Sequence, residues 1–147
     1  MKEVFVQLFT TMLGALGFSL ISGLRSRHLP FGALGGIITW GTYLLVHTLP
    51  PRNFLASLCA SVIAVIYSEL LARLRKCPST LFLFPAIIPL VPGSSLYYTM
   101  SSVVQGEIQA AKSYGRDTLV FALAIAAGIS FATACRELRT PKGQNYR

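Results

Sequence analysis

Apolar residues in this chain come in long blocks separated by short polar connections, not at the alternating or 3.6-residue spacing of a half-buried strand or helix. A window of about 19 residues finds five blocks: 4–24, 29–49, 54–74, 81–105 and 118–135. Each holds about 18 to 25 residues, enough for a helix to cross a hydrocarbon layer of roughly 30 Å. The pattern predicts an all-α, polytopic membrane protein with about five transmembrane helices. The fourth block differs from the rest, because a Pro-Gly-Ser sequence breaks it. The short connections leave no room for a soluble domain or linker, so residues 1–147 read as a single integral membrane domain.

Composition supports that solvent. Of the 147 residues, 53% are apolar and 12% charged, whereas a soluble domain carries about 25% charge. Mean hydropathy is +0.59. A small soluble core cannot hide so much apolar surface, and disordered chains are polar, not apolar. The net charge of +8 would suggest nucleic acid in a soluble protein. Here the basic residues cluster between the apolar blocks, as topology signals do, and no nucleic-acid partner is expected. Cys59, Cys77 and Cys135 lie far apart with no CxxC pair, which builds neither a zinc site nor a disulfide framework. No metal or cofactor is expected. Lys2 offers the positive start of a secretory signal, but Glu3 cancels it and no clear cleavage site follows. The first block is therefore expected to stay.

Basic residues also predict orientation. With five crossings, the connections near 25–28 and 75–80 share a side with the C-terminal tail. That side carries Arg25, Arg27, Arg73, Arg75, Lys76, Arg136, Arg139, Lys142 and Arg147, against Lys2, Arg52, Lys112 and Arg116 opposite. Nine against four places the C-terminus in the cytoplasm and the N-terminus outside. Small residues recur every fourth position in several blocks: Ala15, Ser19 and Gly23; Gly32 and Gly36; Ala122, Ala126, Ser130 and Ala134. Such stripes let helices approach closely in lipid, either within the chain or against another subunit.

The fourth block, LFLFPAIIPLVPGSSLYYTMSSVVQ, concentrates the chemistry. Pro85, Pro89 and Pro92 would share one helix face, and each removes an N–H and frees a carbonyl on the preceding turn. Pro92-Gly93 is expected to stop the helix, glycine supplying the backbone freedom. Ser94 and Ser95 are good N-caps for a second half-helix running through Tyr97 and Tyr98. A break inside a bilayer is tolerated only in protein or beside a wet cavity. Its new N-terminus, at Gly93, Ser94 and Ser95, favours a substrate carboxylate. Carbonyls freed before Pro89 and Pro92 would suit an ammonium group or water. The competing reading is a proline kink that merely shapes packing.

The segment PAIIPLVPGSSLYYTM closely resembles the hallmark of the threonine/serine exporter (ThrE) family, in its small C-terminal-type module. In that family the module is half of one polypeptide or a separate small subunit beside a larger one. Members are described as exporters of threonine and serine, with a two-subunit branch linked to succinate export. The resemblance implies a larger ThrE-type membrane subunit as partner.

Other polar residues supply further candidates. Glu69 either pairs with Arg73, four residues on, or couples transport to protons. Glu107 either pairs with Lys112 or Arg116, or gates an exit path. His47 could relay protons, though a histidine before Pro50-Pro51 also suits the interface. Trp40, Tyr43, Tyr97 and Tyr98 are belt anchors or cavity walls, and at least one of Tyr97 and Tyr98 is expected to face the cavity. No G-x-S-x-G, H-E-x-x-H or Walker sequence is present, so no enzyme is expected. The expectation is the small subunit of a secondary exporter in a bacterial inner membrane, carrying small carboxylate metabolites, threonine and serine first. It would work beside the larger subunit or copies of itself. The alternatives are a subunit of a succinate or dicarboxylate exporter and a non-transporting scaffold.

Overall fold

The structure is a computed structural model that describes residues 2–24, 26–48 and 53–139. Arg25, Arg52, Lys142 and Arg147, which enter the charge balance, and Pro50 and Pro51 lie outside the described residues. Every described element is helical: α1 (Lys2–Ile21), α2 (Leu29–Thr48), α3 (Asn53–Arg75), α4 (Thr80–Ile87) with a 3₁₀ turn (Ile88–Leu90), α5 (Gly93–Val104) and α6 (Ile108–Arg139). Four of these are long and apolar enough to cross a membrane, and α4 with α5, bent by 52° at the break, forms either a fifth, broken span or a re-entrant loop.

Three helices end alike. Beyond α1, α3 and α5 one residue turns left-handed, and the next amide reaches back five residues: Leu24 to Ser19 O, Cys77 to Ala72 O and Glu107 to Ser102 O. This pairing satisfies carbonyls that a helix end leaves free. Gly23 and Gly106 hold the left-handed position at little cost, whereas Lys76 (φ +52°) holds it after α3.

The fifth crossing begins earlier than its apolar block. Residues 108–117 are too polar to register as membrane-spanning, but they are mostly good helix formers and continue α6 without a break. Hydropathy marks only the part of a helix that meets lipid.

Helix α2 is the hub, packing on α1, α3 and α4. Its glycines permit this. A Cβ at Gly32 would overlap the Ser19 hydroxyl, and one at Gly36 would stand 2.7 Å from Ala15 Cβ. Pro85 and Pro89 of the fourth segment would stand 3.6 Å from a Cβ added at Gly32 and at Gly36 respectively. At Gly35 the neighbours are Tyr67 and Ala86, and Tyr67 Oη donates to Phe31 O at 2.7 Å. Ala15, Ser19, Gly32 and Gly36 therefore serve packing within the chain, whereas Gly23 is exposed in the turn after α1. On α6, by contrast, Ala122, Ala126, Ser130 and Ala134 face outward, and Ala111, Ala124 and Gly128 are the buried small residues.

Helix α6 runs parallel to α3. Gly128 sits against Ser61, and Arg136 meets Glu69 sixty-seven positions earlier. That register sets Asn53 level with about residue 120, so α6 extends about 18 Å past the start of α3. Helix α5 packs along this extension: the rings of Tyr98 and Tyr114 are 5.4 Å apart. The ends of α1, α3 and α6 and the starts of α2 and α4 share one end of the bundle, where Arg27, Arg73, Arg75 and Lys76 are exposed.

The packing carries a test. A Cβ at Gly128 would overlap the Ser61 hydroxyl and stand 2.8 Å from Leu58 O, whereas one at Gly41 meets nothing within 4 Å. Gly128→Ala is expected to destabilise the protein by about 1–3 kcal/mol, and Gly41→Ala to stabilise it by up to about 1 kcal/mol. Thermal unfolding in detergent measures both; equal effects would show that α3 and α6 do not meet there.

Candidate functional site

The break in the fourth segment is assembled residue by residue from its prolines. Pro85 lies within α4 and is fully buried. Without an N–H it leaves the preceding turn a bond short. Pro89 repeats the effect one turn on, where the helix tightens into the 3₁₀ turn, closed by Val91 N–H to Ile88 O at 3.2 Å. Val91 then extends (φ −62°, ψ 123°), as a residue before proline prefers. Pro92 (φ −77°, ψ 58°) starts α5. Because Pro89 stands beside Gly36, the break falls roughly half-way along α2.

Two expectations are corrected here. Gly93 was expected to supply an unusual backbone angle, but it is the first residue of α5, and the left-handed glycines are Gly23 and Gly106. The bend is made by Val91 and Pro92, since proline's fixed φ and the extended residue before it suffice. Ser94 and Ser95 were expected to cap α5, but Pro92 occupies the cap, with no side-chain hydrogen bond. The serines fall inside the first turn instead.

The position matters for their amides. Gly93 N–H bonds to Val91 O at 2.7 Å, and Leu96 N–H to Pro92 O at 3.0 Å. Between them, the amides of Ser94 and Ser95 have no backbone acceptor among the described residues. They are the free donors that any helix start presents, joined by the positive end of the α5 dipole. Ser94 is exposed and Ser95 half-buried.

Tyr97 and Tyr98 are 69% and 51% exposed, and the Tyr98 ring also meets Tyr114 of α6. The Tyr97 and Tyr98 rings meet edge to face at 5.6 Å.

The carboxylates are also placed differently. Glu69 pairs with Arg136 at 3.1 Å, while Arg73, the partner expected from spacing, is exposed. The parallel packing of α3 and α6 brings Arg136 to Glu69 from another helix. Glu107 is exposed in the turn before α6 and forms no ion pair with Lys112 or Arg116 among the described residues. His47 Nε2 lies 3.1 Å from Asn53 Oδ1. Its ring continues a stack with Tyr43 (5.7 Å) and Trp40 (5.0 Å from Tyr43). Arg75 lies 4.2 Å over the Phe31 ring. The three cysteines are free, and no metal-binding group occurs among the described residues.

Sequence reasoning missed Arg136 as a partner, and also Thr39 and Ser57, whose hydroxyls are buried without a hydrogen bond. A hydroxyl within an apolar block was the available signal. The Glu69–Arg136 pair is expected to tie α3 to α6. Glu69→Gln and Arg136→Gln should each lower stability by about 1 kcal/mol, and the exchange Glu69→Arg with Arg136→Glu should recover much of it. Unfolding midpoints of the four proteins measure this; no recovery would show that the two charges do not act on each other.

No solved structure matches the chain. The family model for the threonine/serine exporter, ThrE, matches residues 7–135. That match covers the apolar helices and the whole broken segment, and the chain belongs to the threonine/serine exporter (ThrE) family, a family of membrane transporters.

Proposed function

We propose that the chain is the small subunit of a secondary transporter in a bacterial inner membrane, exporting small carboxylate metabolites, with threonine and serine the leading substrates. It acts beside a larger ThrE-type subunit or copies of itself, with residues 1–147 as one membrane domain, the N-terminus outside and the C-terminus in the cytoplasm. The observation that carries this reading is the pair of free amides at Ser94 and Ser95, on a helix that starts part-way through the bundle. Hydrocarbon cannot satisfy such donors, and a carboxylate at a helix N-terminus can.

The substrate carboxylate meets Gly93, Ser94 and Ser95. Pro89 and Pro92 shape the floor, and Tyr97 and Tyr98, exposed in this chain, are covered by the neighbouring subunit. Export proceeds by rocking one bundle against another around the site, without a covalent step. Of the two coupling carboxylates, Glu69 is better placed, being half-buried beside Arg136, while Glu107 is exposed. The basic end of the bundle, with Arg27, Arg73, Arg75 and Lys76, faces the cytoplasm.

Efflux of labelled threonine, serine and succinate, from cells lacking their own exporters, tests the reading. Efflux is expected when the chain is expressed with a large ThrE-type subunit and not when it is expressed alone. Succinate leaving in place of the amino acids would reassign the substrate. Stable insertion of both proteins with no efflux would favour a scaffold, in which the prolines seated on Gly32 and Gly36 serve packing alone. A second measurement concerns the serines. The double variant Ser94→Ala, Ser95→Ala should assemble normally yet lose about 10-fold in efflux, the scale of one hydrogen bond to a charged group. Full efflux would show that the substrate does not use these hydroxyls.

A further inference from the structure

The middle of the bundle holds polar atoms that the protein leaves unpartnered. Thr39 and Ser57 are fully buried, and neither Thr39 Oγ1 nor Ser57 Oγ has a hydrogen-bond partner. Trp40 Nε1 is a third such atom. The contacts His47–Asn53 and Phe31–Tyr67 set α2 and α3 antiparallel, which brings Thr39 opposite Ser61 and Ser57 opposite Tyr43. Helix α6 crosses at the same level, with Gly128 against Ser61 and Phe121 6.1 Å from Tyr43. The orphaned atoms therefore lie within about one helical turn of each other along the bundle axis, where α2 packs on α3 and Tyr43 reaches Phe121 of α6. A fourth, His28 Nδ1, lies at the far end of α2 and is separate.

Neighbouring hydroxyls behave differently. Ser61 donates to Leu58 O at 2.9 Å, Ser68 to Val65 O at 2.9 Å and Ser19 to Ala15 O at 2.7 Å. A helical hydroxyl with nothing else to bind turns back to a carbonyl of the preceding turn. Thr39 and Ser57 do not. A buried polar atom without a partner bears its full desolvation cost, so native proteins almost always provide one, ordered water included. From this level a line of polar groups runs to the end of the bundle: Tyr43 stacks between Trp40 and His47, and His47 meets Asn53.

We infer that the meeting of α2, α3 and α6 is a hydrated seam, in which Thr39, Trp40 and Ser57 bind ordered water that enters from the His47–Asn53 end. Water is the ligand this chemistry suits, because a hydroxyl can donate to it and accept from it while an indole N–H donates. The seam begins one helical turn along α2 from Gly36, which sits against Pro89, and does not depend on where substrate binds.

Cysteine labelling tests it without requiring transport. Single cysteines replace Thr39 or Ser57 in the full chain, after Cys59, Cys77 and Cys135 are changed to alanine. Ala64→Cys on α3 and Ala86→Cys on α4, both equally buried, serve as controls. In membrane vesicles opened to both faces, a charged methanethiosulfonate should react at positions 39 and 57 at least 10-fold faster than at 64 and 86; equal rates overturn the inference. The second measurement is stability. Were the seam dry, Thr39→Val and Ser57→Ala would each remove an unsatisfied group and raise Tm by about 3 °C. With water bound, neither raises Tm, and a rise in both overturns the inference.

Discussion

A peptide group inside hydrocarbon can be satisfied only by protein or by water brought in with it, and the path of this chain follows from that constraint. Helices α1, α2, α3 and α6 answer it in the ordinary way, by pairing each amide with the preceding turn. The fourth crossing does not. Three prolines remove donors between residues 85 and 92, the helix tightens at Ile88–Leu90 and stops at Val91, and a second helix starts at Gly93. Its first turn presents the amides of Ser94 and Ser95 at the one place where a bundle of continuous helices would have none.

Close packing at α2 holds the first half of that segment still. Gly32, Gly35 and Gly36 let α1, α3 and α4 approach one helix together, and Pro85 and Pro89 rest against two of these glycines. Helix α5 has a different support, the long N-terminal extension of α6. The two halves of the broken segment are therefore carried by different parts of the bundle.

Polar groups in the interior follow the same economy. Glu69 and Arg136 neutralise each other between α3 and α6, and the buried hydroxyls of Ser19, Ser61 and Ser68 bond to their own helix. Thr39 and Ser57 do not. Their isolation, beside an aromatic stack leading to His47, marks a second polar feature next to the helix break.

Much of this was legible in the sequence. Block lengths and low charge set the solvent, the helical class and the crossings, because burying apolar side chains in lipid depends on composition and run length alone. Pro85, Pro89 and Pro92 announced the break, since a missing N–H is a local property. The small-residue spacing announced close packing, but not which residues would be used: Ala15, Ser19, Gly32 and Gly36 are buried within the chain, while Gly23 and the stripe on α6 are exposed. Several features waited for the tertiary structure. Gly93 and the two serines took helical positions because Val91 and Pro92 had already made the turn. Glu69 found Arg136 because α3 and α6 run parallel, a pairing sixty-seven residues long that local spacing cannot foresee. The helical run from Ile108 escaped a hydropathy window because helix formation does not require lipid. Tyr98 met Tyr114 because α5 packs on α6. Identity, periodicity and covalent geometry act over a few residues and are written in the chain, whereas partners, facing and exposure depend on which helices meet.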